Sequence, residues 1–476
     1  MDKKKQKKIE EEKAQVTESV KEGKKEKKEF GIGDRIKVIT KDKEFEGILM
    51  PASELAGDVT VIKLDNGYNA GIDNRKIKEI VIVGKKRVEV KKENQEKIKE
   101  GKKEIKKEQK KELPNLPIIS IFHTGGTIAS KVDYKTGGVV ARFSPEEILG
   151  MFPELKKIAN IRSRLIRNMA SDDMRFAHYN IMCDEIAGEI KEGVEGIIIT
   201  HGTDTLHYTS AALSFMLDNL PIPVILVGSQ RSSDRPSSDA AVNLVCAAKF
   251  IANADFSGVA ICMHENINDD SCIILPGTKC RKMHTSRRDA FRPINSTAIA
   301  RIMYKENNIE FFSHNFEKKD RKRKLEVKKI KENLKVGMLK VHTNMYTEEF
   351  SAYEGFDGLI IEGTGLGHAP ISDIDEFTKE HTKIFDAIKK IVASGTIVAM
   401  ASQTIYGRVN MNVYSPARRL QQIGVLGNLA DMTPETAFIK LAWLLSNYSG
   451  EEAKNLIVKN LKGEISEIEE KEGFLI

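Results

Sequence analysis

Residues 118–130, with the sequence IISIFHTGGTIAS, constrain the fold of this chain more than any other stretch. An apolar run that predicts a buried strand leads directly into Thr124-Gly125-Gly126-Thr127. Paired glycines allow the backbone to turn sharply at the end of a strand and to approach a small ligand closely. In an open α/β sheet, ligands bind at the carboxyl ends of the strands. The stretch therefore predicts a ligand site at the end of a parallel strand.

Thr127 is the first candidate catalytic residue, because its hydroxyl follows the glycine turn and can act as a nucleophile once a base removes its proton. The plain alternative is a glycine-rich turn between a strand and the next segment that carries no chemistry. A phosphate-binding P-loop is excluded, since no Gly-Lys-Ser/Thr follows at the required spacing.

From residue 116 onward, apolar strands alternate with amphipathic helices, which is typical of a mostly parallel sheet covered by helices on both faces. The strands of the first lobe are predicted at residues 118–122, 196–200, 224–227 and 258–263, and its helices at 172–191, 205–219 and 238–254. A second alternation is predicted at 336–341, 358–362, 375–393 and 396–401, followed by helices from about 415 to the end. We expect two α/β lobes, at 116–313 and 334–476.

Short β runs separated by turn signals fill residues 30–83, where no helical pattern occurs, and they predict a small SH3-like β-barrel. Such a module usually binds or positions a partner, and no catalytic group is evident in it. Lys/Glu-rich residues 1–29 predict a charged disordered tail, and 84–115 and 314–333 predict charged linkers. Weak contact of these basic runs with RNA phosphates is the alternative to a purely solvated role.

Composition excludes several classes of protein. The 476 residues carry a formal net charge of +7, and the runs at 1–29 and 85–112 hold all of the positive excess, so a large basic face on the α/β body is not implied. The five cysteines form no CxxC pair, which favours a reduced, cytoplasmic protein with buried thiols. No run of about 18 apolar residues exists, so neither a membrane span nor a signal peptide is expected.

A second predicted strand, residues 196–200, ends in His201-Gly202-Thr203-Asp204 and repeats the pattern of an apolar run, a glycine and a threonine. Two such turns in one sheet place two hydroxyls and a carboxylate along the same rim. Asp204 has a plain alternative as the N-cap of the following helix. Capping and catalysis are compatible, because helix N-terminal N–H groups can also bind a substrate carboxylate.

Two further segments add candidate residues. Ser171 and Asp172 can hydrogen-bond an α-ammonium and an α-carboxylate group, although a capping segment for the next helix is the simpler interpretation. Lys282 can activate a threonine hydroxyl if burial and neighbouring groups remove its proton. Most lysines are solvated, however, and the sequence alone does not establish that this one is buried.

HTGGTIAS and ITHGTDTLHYTSAAL resemble the two signature sequences of the type I and II asparaginase superfamily, in the order and at the separation found there. The resemblance covers residue 116 to the C-terminus. It implies a two-lobed α/β fold with a flavodoxin-like parallel sheet, and active sites that lie between the subunits of an intimate dimer. The site residues that it implies are the nucleophile Thr127, the activating group Thr203, Asp204 and Lys282, and the substrate-binding residues Gly126, Ser171, Asp172 and Gly202.

One segment departs from the asparaginase pattern. Asparaginases carry a tyrosine on the loop after the first signature, where it hydrogen-bonds the nucleophile. Here Tyr134 falls close to that place, but Val139 or Val140 holds the expected position. Either Tyr134 serves from a different loop register, or Thr127 is activated in another way.

Three features narrow the resemblance. They are the β-rich module before the lobes, the segment EGTGLGH at 362–368, and the pair of segments GRVNMNVY at 407–414 and MTPETA at 432–437. Together they are similar to the D-subunit family of archaeal-type glutamyl-tRNA(Gln) amidotransferases. The glycines of 362–368 do not indicate a dinucleotide site, because the acidic partner that such a site requires is not in place.

This narrower resemblance implies a glutaminase that hydrolyses glutamine, or asparagine, and passes ammonia to a partner, the E subunit of the amidotransferase, which converts Glu-tRNA(Gln) to Gln-tRNA(Gln). It implies a homodimer at the core of a heterotetramer, with tRNA(Gln) bound through the complex and no membrane contact. No cofactor is expected in this chain, and ATP and Mg²⁺ are expected in the partner. The alternatives are a stand-alone L-asparaginase with an N-terminal extension and a non-catalytic scaffold or RNA-binding protein, although the intact signatures argue against the scaffold.

Overall fold

The structure is a computed structural model, and it describes four stretches of the chain. These are residues 31–84 except 32, 51–57 and 65–68; 115–141 except 127, 129 and 133–138; 153–469 except 232–237 and 307; and 473–474. The predicted tail at 1–29, almost all of the predicted linker at 84–115, Thr127 and Tyr134 therefore lie outside the described residues. The N-terminal module and the α/β body are separate compact units.

Five strands form the N-terminal module: β1 (Arg35–Thr40), β2 (Glu44–Met50), β3 (Val59–Leu64), β4 (Asn69–Asp73) and β5 (Ile77–Gly84). They pair antiparallel in the order β4-β3-β2-β1-β5. Because alternate strand residues point to opposite faces, Ile36, Val38, Ile62 and Ile72 come together in one small buried core. The short β strands expected here are confirmed, and they pair antiparallel, while the finer SH3-like class stays a prediction.

The strands of the α/β body are β6 (Ile118–Gly125), β7 (Ser130–Val132), β8 (Val139–Ala141), β9 (Asn160–Met169), β10 (Gly196–Thr200), β11 (Leu217–Asp218), β12 (Pro223–Val227), β13 (Gly258–His264), β14 (Ser271–Pro276), β15 (Cys280–Lys282), β16 (Phe291–Pro293), β17 (Ala300–Met303), β18 (Ile309–Phe311), β19 (Glu326–Val327), β20 (Val336–Lys340), β21 (Gly358–Gly363) and β22 (Ile397–Ser402). Its helices are α1 (Phe176–Lys191), α2 (Leu206–Met216), α3 (Ala240–Asn253), α4 (Thr347–Ser351), α5 (Glu380–Ala393), α6 (Ser415–Gln422), α7 (Pro434–Asn447) and α8 (Gly450–Leu456).

Eight of these strands form the main sheet, in the order β18-β17-β14-β13-β12-β10-β6-β9. The five strands from β9 to β13 in that order run parallel, but β14, β17 and β18 pair antiparallel. The prediction of a mostly parallel sheet is therefore wrong for one side of the sheet, which is mixed. Only residues 265–270 connect β13 to β14, which is too short for the crossover of about a dozen residues that a parallel pair needs.

The second lobe has a parallel sheet of three strands in the order β20-β21-β22. It shares a hydrophobic core with the first lobe, because α2 packs against α7. Phe215 of α2 stacks on Trp443 of α7, with 5.5 Å between the ring centroids. Burial of apolar surface is the main driving force of such packing. It holds α7 of the second lobe against α2 of the first.

Several helix boundaries differ from those predicted. α1 begins at Phe176 because residues 171–173 form a separate 3₁₀ turn. α5 begins at Glu380, since the Thr378 hydroxyl accepts hydrogen bonds from the preceding backbone and closes a turn there. The last helix ends at Leu456, and the chain continues to residue 469 without another, so the prediction of helices to the end is wrong.

Residues 314–333 are not the exposed bridge that their charge predicts. Ile330 is buried, and the Asn180 side chain of α1 donates to its carbonyl at 2.8 Å and accepts from its N–H at 3.1 Å. β19, in the same segment, pairs with β11. Lys329 meanwhile pairs with Asp184 at 2.7 Å, where both side chains are exposed. The backbone of this segment is thus anchored to the first lobe while its charged side chains meet the solvent.

The five cysteines, Cys183, Cys246, Cys262, Cys272 and Cys280, are all free and buried, which confirms buried thiols. Within the described part of the chain, none of the helices combines the length and the apolar character that a membrane span requires.

Candidate functional site

The carboxyl ends of β6 and β10 and the turn after β9 meet at one edge of the main sheet, where glycines let the backbones touch. Gly125 and Gly126 have positive φ angles of 110° and 75°. A Cβ on Gly126 would lie 2.5 Å from the Cα of Gly202, and a Cβ on Gly202 would lie 2.8 Å from the Oγ of Ser171. Only glycine permits so close an approach. The two predicted glycine turns therefore form the floor of one site.

Lys282 lies at the same edge and joins the two residues that follow Gly202. Its Nζ donates to Thr203 Oγ1 and to Asp204 Oδ1, both at 2.8 Å. The Lys282 side chain is 9% exposed, whereas that of Asp204 is 71% exposed. The plain alternative of a solvated lysine is therefore wrong, and so is that of Asp204 as the N-cap of α2, because Thr205 holds the N-cap position.

This arrangement has the geometry that proton transfer requires. In its neutral form, a lysine amine can accept the proton of a threonine hydroxyl at hydrogen-bond distance. A carboxylate beside the amine then stabilises the ammonium that results. Thr203, Asp204 and Lys282 thus form a candidate unit, which we call the rim group, for moving protons at the strand ends.

A two-stranded hairpin outside the main sheet carries Lys282. β15 pairs antiparallel with β16, and Lys282 lies opposite the fully buried Phe291. Because successive strand residues point to opposite sides, the side chains of Arg281 and Lys282 point to opposite sides of β15. Each strand of the hairpin has only three residues, so it leaves too short a pattern in the sequence to be predicted.

Ser171 and Asp172 lie in the 3₁₀ turn that follows β9. Ser171 is buried, its carbonyl accepts from the Thr205 hydroxyl at 2.5 Å, and its Oγ accepts from the Thr205 N–H at 3.4 Å. Asp172 is exposed beside it. Neither residue caps α1, whose N-cap is Arg175. The structure thus brings both residues to the turn that carries the rim group.

Thr127 lies outside the described residues, so its hydroxyl has no described position. The residues on either side are described: Gly126 lies against Gly202, and Ile128 is fully buried. The nucleophilic role of Thr127 stays a prediction, as does any part played by Tyr134, which also lies outside the described residues.

Three residues behind Lys282 were not predicted to belong to the site: His207, Arg281 and Glu435. Glu435 of α7 pairs with Arg281, with 2.9 Å between Oε1 and Nη2, and the same oxygen lies 3.9 Å from Nε2 of His207. Burial, and then the positive charges of Arg281 and Lys282, lower the pKa of His207 to about 3, so the ring is neutral near pH 7. The available signals were weak: a histidine within an apolar helix, an arginine before a lysine, and an acidic residue at the start of a helix.

A second buried carboxyl group lies close to this cluster. Glu362, in β21, is buried, and burial followed by the charge of Glu435 raises its pKa. Burial also raises the pKa of the Tyr208 hydroxyl well above its ordinary range. Ion pairs are stronger in such water-poor surroundings, and unpaired charges there cost more. Two carboxyl groups of the second lobe, those of Glu362 and Glu435, thus lie near Arg281.

A separate network supports Thr203 from the next strand. A Cβ on Gly228 would lie 2.7 Å from Cγ2 of Thr203. The backbone there is held by two residues at the start of α3: Asn243 donates to Gly228 O at 3.0 Å, and the buried Asp239 accepts from Ser229 Oγ at 2.8 Å. The end of β12 is thus a fixed wall against which Thr203 packs.

Two other features bear on what the site can bind. Across the described residues, no three His, Cys, Asp or Glu side chains are grouped so that they could hold a metal ion. An open cleft of about 810 Å³ lies in the second lobe. None of the predicted site residues lines it, and the residues that do include Gly365, Leu366, Arg408 and Glu469. The candidate chemistry therefore lies at the strand ends of the first lobe and not in that cleft.

Three family models match the chain. They are the GatD N-terminal domain at residues 30–83, the Asparaginase, N-terminal model at 118–317, and the Glutaminase/Asparaginase C-terminal domain at 335–456. The N-terminal module and both lobes thus each have a counterpart among known families.

Two relatives show how far the similarity extends. The D subunit of the glutamyl-tRNA(Gln) amidotransferase of Pyrococcus furiosus is 43% identical over 453 residues, which are 94% of this chain and 97% of that protein. The protein of the same name from Methanococcus maripaludis strain C5 is 43% identical over 440 residues, which are 92% of this chain and 98% of the relative.

Solved structures resemble the α/β body. The thermostable L-asparaginase from Thermococcus kodakarensis aligns with a TM-score of 0.63 and 29% identity, over 73% of this chain and 99% of that one. L-asparaginase I from Vibrio cholerae aligns with a TM-score of 0.62 and 29% identity, over 74% of this chain and 99% of that one. The body therefore has an asparaginase-like α/β fold with a mixed sheet.

Proposed function

This chain belongs to the family of glutamyl-tRNA(Gln) amidotransferase D subunits, and from that premise we propose that it is the component that hydrolyses glutamine and supplies ammonia. The main structural support is the pair of 2.8 Å contacts from Lys282 to Thr203 and Asp204 at the strand ends. Hydrolysis of an amide needs an activated hydroxyl, an oxyanion stabiliser and a proton donor for the departing ammonia.

Thr127 supplies the nucleophile in this proposal. Its Oγ adds to the side-chain carbonyl carbon of glutamine as its proton is removed, and backbone N–H groups at the turns of Gly126 and Gly202 stabilise the oxyanion. The carbon–nitrogen bond then breaks while a proton reaches the nitrogen, and ammonia leaves. Water hydrolyses the resulting ester to give glutamate and the free Thr127 hydroxyl.

The rim group handles the protons of these steps. The Thr203 hydroxyl or a water beside it takes the proton of Thr127 and passes its own proton to Lys282 in its amine form, and Asp204 then stabilises the ammonium. The same group returns the proton to the departing nitrogen, as general acid–base catalysis requires. The hydrogen bonds of Lys282 to both partners support this shared role.

Ser171 and Asp172 bind the α-ammonium and α-carboxylate ends of the substrate. The exposed Asp172 carboxylate offers a charge for the ammonium, and Ser171 lies at the contact with Gly202. The absence of side chains at Gly126 and Gly202 lets the substrate approach the backbone N–H groups of both turns.

The ammonia goes to a partner. The relatives are named as components of an enzyme that acts on glutamyl-tRNA(Gln), and we extend to this chain a partner, the E subunit, that binds ATP and Mg²⁺ and amidates the glutamate on tRNA(Gln). This chain needs no cofactor of its own and forms the homodimer core of a heterotetramer in the cytoplasm. Ammonia is mostly protonated in neutral water and then is not nucleophilic, so a sealed route to the acceptor is an advantage.

We also propose a class for the main sheet and for the N-terminal module, and bounds for the two lobes. The parallel strands in the order β9-β6-β10-β12-β13 support a flavodoxin-like class for this part of the sheet. We assign an SH3-like barrel to residues 30–83 and a role in docking the partner to that module. The lobes extend over 116–313 and 334–476, joined by the charged segment 314–333.

A stand-alone L-asparaginase is the second candidate, favoured by the 29% identity to two L-asparaginases that align over 99% of their length. The two candidates differ in substrate and in dependence on a partner. Purified chain that hydrolyses asparagine rapidly, with no response to a partner or to tRNA, would establish the second candidate.

Replacement of Thr127 tests the proposed mechanism directly. Thr127→Val removes the hydroxyl with little change in shape, and we expect it to abolish ammonia release from glutamine while the fold is kept. Thr343→Val, at an exposed threonine of the second lobe, is the matched control and should retain turnover. Near-normal ammonia release by Thr127→Val would show that another group is the nucleophile.

A further inference from the structure

A strip of the first lobe, residues 278–281, docks onto residues 431–436 at the start of α7 in the second lobe. Three polar contacts hold it: Lys279 Nζ to Asp431 Oδ2 at 2.6 Å, Thr436 Oγ1 to Thr278 O at 2.9 Å, and Arg281 Nη2 to Glu435 Oε1 at 2.9 Å. Lys282 is the next residue of the chain. The lysine of the rim group is therefore the residue that directly follows the strip docked between the lobes.

Arg281 needs Glu435 because another arginine lies opposite it. In the hairpin, Arg281 pairs across the strands with Arg292, and like charges directly opposite each other destabilise a strand pair. Arg292 pairs with Asp289 of its own lobe at 2.8 Å, whereas Arg281 takes its carboxylate from the other lobe. Loss of Glu435 would leave an uncompensated cation in the hairpin that carries Lys282.

Glu435 also reaches the second element of the rim group. Its Oε1 lies 3.9 Å from Nε2 of His207, in the first turn of α2, which begins shortly after Asp204. The His207 ring in turn lies 6.4 Å from that of Phe291, the residue opposite Lys282 in the hairpin. One carboxylate of the second lobe thus contacts both elements whose relative position sets the rim group.

We infer that Arg281 and Glu435 are positioning residues, which hold the Lys282 amine against Thr203 and Asp204 through the docking of the second lobe on the first. Because strand neighbours point to opposite sides, anchoring Arg281 on one side of β15 fixes the direction of Lys282 on the other. A displacement of about 1 Å can cost about 100-fold in rate. The effect on turnover rests on the proposed glutaminase function, but the effect on the position of Lys282 does not.

The test compares variants of the full chain. Arg281→Gln and Glu435→Gln each remove one charge of the pair, and Arg281→Lys keeps the positive charge. Arg323→Gln is the matched control, because Arg323 pairs with Glu317 at 2.6 Å and is 28% exposed, close to the 25% of Arg281, but belongs to the segment at 314–333.

The first readout is the chemical reactivity of Lys282. An amine-acetylating reagent followed by peptide mass spectrometry reports its labelling, with the exposed Lys389 as internal reference. We expect the wild type and Arg323→Gln to protect Lys282, which is 9% exposed. Arg281→Gln and Glu435→Gln should raise its labelling several-fold, and Arg281→Lys should keep most of the protection because an amine can still pair with the carboxylate.

The second readout is the kinetics of glutamine hydrolysis. We expect Arg281→Gln to lower kcat by about tenfold or more and to leave KM within about twofold, since the substrate-binding residues are untouched. Arg281→Lys should recover much of kcat. The double variant with Glu435→Gln should lose no more than the single variants, because both act through one contact.

Unchanged labelling of Lys282 in folded Arg281→Gln and Glu435→Gln would overturn the inference. If circular dichroism shows that Arg281→Gln does not fold, Glu435→Gln and Arg281→Lys decide by the same labelling. Wild-type protein that protects Lys282 as expected, but releases no ammonia from glutamine even with its partner, would overturn the proposed function and leave the positioning role in place.

Discussion

Two lysines in one short segment, Lys279 and Lys282, meet opposite surroundings. The Lys279 ammonium has three acceptors: Asp431 Oδ2 at 2.6 Å, Asn295 O at 3.0 Å and Ser466 Oγ at 2.5 Å. An ammonium group has three hydrogens, so these contacts satisfy it completely. Its side chain is 4% exposed and that of Asp431 is fully buried. This lysine is part of a structural lock between the lobes.

Lys282 instead contacts a hydroxyl and a carboxylate that is open to solvent. The hydrogens of the Lys279 ammonium are all held by partners inside the protein, whereas the Lys282 amine lies beside a hydroxyl and a solvent-exposed carboxylate, where a proton can be exchanged. Partners and the exposure of those partners, and not burial alone, therefore distinguish these two lysines.

The largest effect that we expect from replacing either lysine is the loss of turnover in Lys282→Met. General acid–base groups contribute about 10² to 10⁴ in rate, and glutaminase turnover should fall by that order. Ammonia release from glutamine is the measurement. Thr203→Val should lose a similar factor, and the double variant should lose little more than either single one, because the residues act as a unit. Losses that multiply would mean that Lys282 and Thr203 act independently.

Lys279→Met, in contrast to Lys282→Met, should have its main effect on stability, and we expect that loss to be large. Removal of one partner of a buried ion pair leaves the other charge uncompensated and costs about 3–5 kcal/mol. Denaturant unfolding of the α/β body measures this effect, and Lys282→Met is expected to change the free energy of unfolding much less. Replacing both partners, as in Lys279→Met with Asp431→Leu, should recover part of the stability. Equal stability losses in the two lysine variants would remove the distinction between them.

The smallest expected effect concerns His207, which lies behind the rim group. Its pKa is about 3 in the folded chain, below the ordinary value of about 6.5, so the unfolded chain takes up this proton first as the pH falls. The contribution to stability is therefore complete above about pH 6.5 and is lost progressively toward pH 3.

His207→Gln removes this titrating group. Unfolding measured at several values between pH 7 and pH 4 should show a pH dependence that is less steep in the variant, by about 1.4 kcal/mol per pH unit. His201, whose pKa burial lowers to about 4, remains in both proteins and is an internal control for the remaining slope. Parallel stability curves for the two proteins would show that His207 is not held neutral by the fold.

Local pattern explains what the sequence could predict. The strand at Gly196–Thr200 and the glycine turns at Gly125-Gly126 and Gly202 were identified because an apolar run and a glycine are features of neighbouring residues. The three antiparallel strands β14, β17 and β18 were missed, since the direction of a strand depends on the length of its connection rather than on its composition.

The contacts of the candidate site could not be predicted from local pattern, because they join residues that are far apart in the sequence. Nothing near Lys282 indicates that Thr203 and Asp204 lie within hydrogen-bond distance, and only the resemblance to a known family connected them. Glu435 was noted only as part of the segment 432–437 and no role was predicted for it, because its contact with Arg281 depends on the packing of α7 against the first lobe.

Ammonia release from glutamine by the purified chain, measured alone and with its partner protein and glutamyl-tRNA(Gln), tests whether this chain is the glutaminase of an amidotransferase. We expect weak glutamine hydrolysis by the chain alone, a clear increase when both are added, and transfer of the released nitrogen to the tRNA-bound glutamate. Rapid hydrolysis of asparagine that does not respond to partner or tRNA would rule out this glutaminase function.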